Sequence, residues 1–246
     1  MKKPHLIMLP GWGMETSVFQ TIREPLAEIV QLSFVEWRNV RNLGDFKERV
    51  KETVYKTNEP VHILGWSLGS IAALEFAAEN NEYVKGLILI GATSHFTSVI
   101  DHTIGWHPRV IERMKKQLKR NKEKTLSNFY EAMFSQSEKK EFLTFMNSVK
   151  HNFQGDDLDS LCTGLDYLVK TDVRGSLSKI KANSLLIHGK EDTICPSKAS
   201  SYMKEQMNKK GKRYVLHNAG HIPFFTRSSE CIQLMTQFLQ RTDYDD

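Results

Sequence analysis

Gly65-Trp66-Ser67-Leu68-Gly69 is the stretch that most restricts what this chain can fold into. It follows Val61-His62-Ile63-Leu64, a short apolar run of strand character. It precedes an Ala-rich stretch at residues 70–78 that reads as a helix. Strand, G-x-S-x-G and helix together describe a sharp turn with the serine at its apex. The turn is too tight for side chains on its flanks, which is why glycine stands at 65 and 69. Ser67 then exposes its hydroxyl, and the Leu68 N–H, at the start of the helix, is placed to donate to an oxyanion.

The rest of the chain reads as alternating strands and helices. Residues 5–9 form a first strand, residues 17–29 a helix with apolar positions near helical spacing, and residues 31–37 a second strand. An amphipathic helix at 45–56 precedes the elbow strand. Residues 84–91 and 184–189 are nearly continuous apolar runs, which suit parallel strands covered on both faces. A helix at 197–208, a last strand at 213–217 and a helix at 230–240 complete the order, with Ile232, Met235, Phe238 and Leu239 facing the sheet. Between 92 and 178 the rhythm changes to a helix-rich, basic segment dotted with aromatic and Met residues. Two segments, 1–91 and 179–246, thus make an α/β core, and 92–178 is a helical insertion placed as a lid over the strand ends. There its aromatics either line a pocket or pack the inserted helices together.

With 246 residues, 40% of them hydrophobic, the chain builds a sizeable core and is not globally disordered. No apolar run approaches the length of a membrane span. The first apolar stretch is too short for a signal-peptide core, and the three cysteines lack C-x-x-C spacing. Free thiols and a cytoplasmic location are the expectation. The net charge of +5 is uneven: eight basic residues lie between Arg109 and Lys124 against two acidic ones. Such a run is either a solvated helix face or a docking surface for an acidic partner. No nucleic-acid motif accompanies it, so nucleic acid is not expected as a partner. The nine histidines are scattered without H-E-x-x-H, and there is no G-x-G-x-x-G, so neither a metal nor a cofactor is expected.

A serine hydroxyl needs a base to attack a carbonyl at neutral pH. Asp192, three residues beyond Gly189 and just past a strand end, is the acid candidate ahead of Glu191. His221, in the loop after the last strand, is the base candidate. The order Ser67, Asp192, His221 is the order of chains built on this kind of elbow. His221 would take the Ser67 proton and return it to the leaving alcohol, while Asp192 holds the imidazole tautomer. The loop after the first strand supplies the second oxyanion donor in such folds. The Trp12 N–H is that candidate beside Leu68, and the Trp12 ring either walls an acyl pocket or packs in the core.

These stretches resemble the α/β-hydrolase superfamily and, more narrowly, the BioH-type pimeloyl-acyl-carrier-protein methyl ester esterases of biotin synthesis. The resemblance rests on Leu9-Pro10-Gly11-Trp12-Gly13-Met14, Leu64 to Gly69, Leu165 to Leu177, Gly189 to Pro196 and Ala219 to Phe224. It implies an α/β-hydrolase fold, mostly parallel, with about six strands because the N-terminal hairpin of the superfamily is missing. It further implies a cofactor-free serine carboxylesterase that cuts the methyl ester of a pimeloyl chain on acyl-carrier protein. Trp12, Trp66, Phe129 and Met133 are the implied substrate contacts, and Lys124, Lys139 and Lys140 the implied carrier contacts. Pro10 departs from the His usual before Gly-Trp-Gly, and Glu36 to Arg41 replaces the usual D-x-P-G-x-G. A general short-chain esterase, a thioesterase or another hydrolase of the same fold is the alternative; a lyase or a non-catalytic receptor is a more distant one.

Overall fold

The computed structural model describes residues 3–207 and 211–242. Six parallel strands form one sheet: β1 (His5–Leu9), β2 (Gln31–Phe34), β3 (Val61–Trp66), β4 (Val84–Ile90), β5 (Asn183–Gly189) and β6 (Lys212–Leu216), in the spatial order β2-β1-β3-β4-β5-β6. The helices are α1 (Gln20–Ala27), α2 (Gly44–Tyr55), α3 (Leu68–Glu79), α4 (Pro108–Arg120), α5 (Lys122–Ala132), α6 (Lys139–Asn152), α7 (Leu158–Lys170), α8 (Lys198–Gln206), α9 (Pro223–Thr226) and α10 (Ser228–Thr242). Every residue of β3 is buried, as are most of β4 and β5, which is why these strands read as unbroken apolar runs. The edge strands β2 and β6 carry the exposed positions. Helices α1 and α10 pack together against the sheet, while α2 packs on α3, which crosses β1, β3 and β4. Among the described residues no helix is long and apolar enough to cross a membrane.

Strand β2 stops at Phe34, short of the expected 37. Its partner β1 runs into Pro10, which has no N–H to extend the ladder. Trp37 turns inward instead, and its Nε1 donates to the Pro10 carbonyl at 2.8 Å. The expected helix at 17–29 divides into a 3-10 turn (Thr16–Phe19) and α1, with Pro25 inside it. The expected helix at 197–208 is α8, and residue 208 itself lies outside the described residues.

Chain order reverses between β1 and β3: β2 lies on one side of β1, and the later strands all lie on the other. In an open parallel sheet, the loops leaving the carboxyl ends of two such strands diverge and leave a crevice. Trp12 follows β1 and Ser67 follows β3, so both flank that crevice. The loops after β5 and β6 carry Asp192 and His221 to the same edge of the sheet. Four helices, α4 to α7, lie between β4 and β5.

Candidate active site

Ser67 is the residue between β3 and α3, and its backbone is strained, at φ 55° and ψ −118°. A non-glycine residue in such a region costs about 1–3 kcal/mol and persists where its surroundings hold it. Here the Ser67 N–H donates to the Ile90 carbonyl at 3.0 Å, and the Ser67 carbonyl accepts the Ser70 N–H at 2.9 Å. The flanking glycines are dictated by close approach. A Cβ on Gly65 would come within 2.6 Å of the Ser70 Cα. A Cβ on Gly69 would overlap the Leu9 carbonyl oxygen and lie 2.6 Å from that of Pro10. Leu68 opens α3, where the first backbone N–H groups of a helix have no intrahelical partner.

Asp192 and His221 are joined and buried. His221 Nδ1 lies 2.7 Å from Asp192 Oδ2. Asp192 Oδ1 accepts the N–H groups of Ile194, at 2.9 Å, and Cys195, at 2.8 Å. A second imidazole, that of His188 at the end of β5, places Nε2 3.2 Å from Asp192 Oδ2 and 2.6 Å from the Cys195 carbonyl oxygen. Burial pulls the Asp192 carboxyl toward its neutral form. The adjacent imidazoles and their hydrogen bonds overcome this and hold it down at about 2, so it is a carboxylate. The same burial, with Asp192 beside it, pushes the Cys195 thiol up, so it is a thiol and not a competing nucleophile.

His221 Nε2 is buried and, among the described residues, has no hydrogen-bond partner, Ser67 Oγ included. The two residues are nevertheless held on one short segment. The Ser67 N–H is bonded to Ile90, and the next residue, Gly91, lies against the His221 ring, where a Cβ would come within 2.9 Å of Nδ1. In enzymes without substrate such hydrogen bonds are often open and close only in the bound complex.

The cleft over Ser67 is lined by Trp12, Phe96, Trp106, Ile111, Met114, Phe129, Leu165, Leu168 and Ile194. Ser67 is the one hydroxyl in an otherwise apolar wall. The free volume is about 10 Å³, room for a single water molecule. Core and insertion share the lining: Ile111 and Met114 come from α4, Phe129 from α5, Leu165 and Leu168 from α7. The Trp12 ring meets Phe129 edge-on at 4.9 Å, and Trp12 Nε1 donates to the Leu161 carbonyl at 2.8 Å. The Tyr130 hydroxyl donates to the Gly13 carbonyl at 2.9 Å. The loop after β1 is therefore pinned to α5 and α7. A roomier cavity of about 330 Å³ lies on the other side of α5, lined by Gly13, Glu15, Leu126, Tyr130, Phe153 and others.

The residues singled out from sequence separate into groups. Ser67, Trp12 and Phe129 meet at the cleft, and Asp192 with His221 forms a bonded pair. Trp66 is not among the residues that line the cleft. It is the last residue of β3, its ring packs on Phe224, and its Nε1 donates to the His221 carbonyl at 2.9 Å. Met133 also lies outside that lining; it reaches the site through its carbonyl, which accepts the His221 N–H at 2.7 Å. Lys124, Lys139 and Lys140 are exposed at the first turns of α5 and α6. Residues missed by the sequence reading are His188, Ile111 and Met114. The last two had a signal, the spacing of Ile111, Met114 and Leu118 inside a basic helix. His188 had none, because its contacts are set by how the loop after β5 folds back.

Residues 54–228 match the family model described as the alpha/beta hydrolase fold. The chain is 29% identical over 246 residues to a pimeloyl-acyl-carrier-protein methyl ester esterase from Aliivibrio fischeri strain MJ11, covering 96% of this chain and 93% of the relative. A protein of the same name from Pseudoalteromonas atlantica is 27% identical, covering 96% of this chain and 95% of its own. Among solved structures, an esterase from Exiguobacterium antarcticum superposes with a TM-score of 0.87 at 20% identity, covering 97% of this chain and 92% of that one. A bromoperoxidase from Bacillus anthracis superposes with the same TM-score at 16% identity, with the same coverage. At these identities the structural likeness speaks to the fold alone.

Proposed function

The chain belongs to the α/β-hydrolase family, and from that premise we propose that it is a serine carboxylesterase removing the methyl ester from a pimeloyl chain carried on acyl-carrier protein. The observation that carries the chemistry is the His221 imidazole: Nδ1 is bonded to a buried carboxylate, while Nε2 is buried and unpartnered. A nitrogen left in that state is available to accept a proton. Ser67 Oγ attacks the ester carbonyl as its proton passes to His221 Nε2. The N–H groups of Trp12 and Leu68 stabilise the oxyanion, each worth about 2.7–4 kcal/mol by the usual cost of losing one. His221 then gives that proton to the departing methoxide, which leaves as methanol; water attacks the acyl-enzyme by the reverse proton path, and the free carboxylate leaves. Asp192 stabilises the imidazolium and fixes its tautomer.

The substrate reading is supported by the names of the relatives and by the surface of the insertion. Arg109, Arg113, Lys116, Lys119, Arg120 and Lys124 are all exposed on α4 and the start of α5, a cationic face suited to an acidic carrier. Residues 92–178 act as a lid in this reading, because a cleft with room for one water must widen to admit an acyl chain. Lys124, Lys139 and Lys140 are the carrier contacts.

The test compares the purified protein and its Ser67→Ala variant on methyl-pimeloyl-acyl-carrier protein and on free methyl pimelate, following loss of the methyl group by mass spectrometry. Fast demethylation of the carrier-bound ester by the wild type alone is the expected result. Activity confined to small free esters would keep the serine chemistry, remove the carrier, and favour a general short-chain esterase. Activity retained by Ser67→Ala would overturn the mechanism.

A further inference from the structure

The turn between α5 and α6 holds the loops that carry both His221 and Asp192. The Met133 carbonyl accepts the His221 N–H at 2.7 Å. The Ala132 carbonyl, at the last residue of α5, accepts the Thr193 hydroxyl at 3.0 Å, one residue past Asp192. Glu138 Oε2 accepts the Gly220 N–H at 2.8 Å, one residue before His221, and the Ser135 N–H at the same distance. The Glu138 side chain is buried, 4% exposed, and among the described residues its other oxygen has no partner. Ser135 caps the short 3-10 turn and Glu138 is the Glu of its capping box, which accounts for the bond to the Ser135 N–H and leaves the bond to Gly220 as the contact beyond the turn. One Glu138 oxygen thus accepts from two backbone donors at once, one in the turn and one in the His221 loop. The approach is backbone to backbone: a Cβ on Gly220 would overlap the Met133 carbonyl oxygen and lie 3.0 Å from Glu138 Oε2.

We propose that Glu138 is a positioning residue for His221, and that through it the α5–α6 turn sets the placement of the base. The proposal rests on the reading of His221 as the general base. Glu138 fixes the Gly220 N–H and Met133 fixes the His221 N–H, so the imidazole's own backbone is held from the insertion while Asp192 holds Nδ1 from the sheet. The same turn connects two features of the insertion. Phe129, one turn back on α5, lines the cleft over Ser67, and Lys139 and Lys140 follow Glu138 directly on the surface. Whatever moves this turn, acyl chain or carrier, moves the base.

The experiment measures kcat and KM on a small free methyl ester for wild type, Glu138→Gln and Glu138→Ala, at a temperature where melting curves show each variant folded. Glu138→Gln keeps an acceptor oxygen and is expected within about 3-fold of wild type. Glu138→Ala leaves both N–H groups unpaired and is expected to lose about 10- to 100-fold in kcat with KM within about 2-fold, the size of loss a displaced catalytic group gives. Should Glu138→Ala not fold, Glu138→Asp, which keeps the charge and shortens the reach, is read in the same way. A variant that melts earlier but keeps wild-type kcat makes Glu138 a structural residue only and overturns the proposal, as does Glu138→Gln failing as badly as Glu138→Ala. Labelling with a fluorophosphonate tests the underlying reading separately. Ser67 of the wild type, and not of His221→Ala, is expected to label; if it does not, that reading fails, whatever Glu138 does.

Discussion

The sheet and the inserted helices are built under different constraints. At the carboxyl edge of the sheet, backbone meets backbone: Gly69 lies on the Leu9 and Pro10 carbonyls, Gly65 on Ser70, and Gly189 on Ala219 and Gly220. Such contacts leave one residue type per position. In the insertion side chains, aromatic and aliphatic, also carry the packing, around an amphipathic α4 and a cluster of Phe134, Phe142 and Phe145 with Phe225 of α9. Large apolar residues also remain exposed there, Ile100 and Leu143 above all. Side-chain packing tolerates exchange at similar volume. In the proposed reading the sheet edge sets the kind of reaction, and the insertion sets what is admitted to it.

The sharpest way to break this division is to remove the chemistry from the sheet alone. Ser67→Ala is expected to lower kcat by roughly 10^5- to 10^6-fold and Asp192→Asn by about 10^4-fold, measured on a free ester, with the fold retained. A residual rate much above these would place part of the chemistry elsewhere. Asp192 also carries a pH signature. Its carboxyl is held down at about 2 in the folded chain, below an unfolded value near 4. The stability this contributes is present above about pH 4 and is lost as the pH falls toward 2. The gap in stability between wild type and Asp192→Asn, read from denaturant unfolding, is expected to narrow over that window. A gap that is constant from pH 6 to pH 2 would contradict it.

Glycine replacements test the same contrast by stability. Gly69→Ala places a Cβ into two carbonyl oxygens, and a loss of about 4 kcal/mol or more, or no folded protein, is expected. Gly175→Ala, with nothing within 4 Å of its Cβ and no positive φ, is expected to change stability by less than about 0.5 kcal/mol. Thermal unfolding of the pair decides it, and comparable losses would mean that backbone crowding is not what the sheet edge depends on.

The legible part of the molecule is the part under the tighter constraint. The elbow, its glycines, the buried strands and the Asp192 and His221 loops are local in sequence, so spacing and period announce them. Trp66 stands beside Ser67 in sequence, yet its ring lies on Phe224 and faces the His221 ring at 5.6 Å, and its Nε1 donates to the His221 carbonyl, contacts that no local spacing announces. The shortened β2 depended on Pro10, 21 or more residues earlier in the chain. Glu138 and His188 act through partners 82 and, by way of a folded-back loop, four residues away. Neither partnership leaves a periodic trace.

The smallest expected effect belongs to the surface of the insertion. Lys124, Lys139 and Lys140 are exposed. Exposed charges contribute little to stability, so changing all three to Glu is expected to move the melting temperature by only a degree or two. Their effect on a charged partner is long-ranged and additive, with a reach of about 10 Å at 0.1 M salt. For an acidic carrier the reversal is expected to lower kcat/KM about 10-fold at low salt, to approach wild type as salt is raised, and to leave the free methyl ester untouched. Equal losses on both substrates would mean that the lysines act on the fold or the cleft. No loss on either would return the basic face to a solvated surface and leave admission to the apolar walls of the cleft alone.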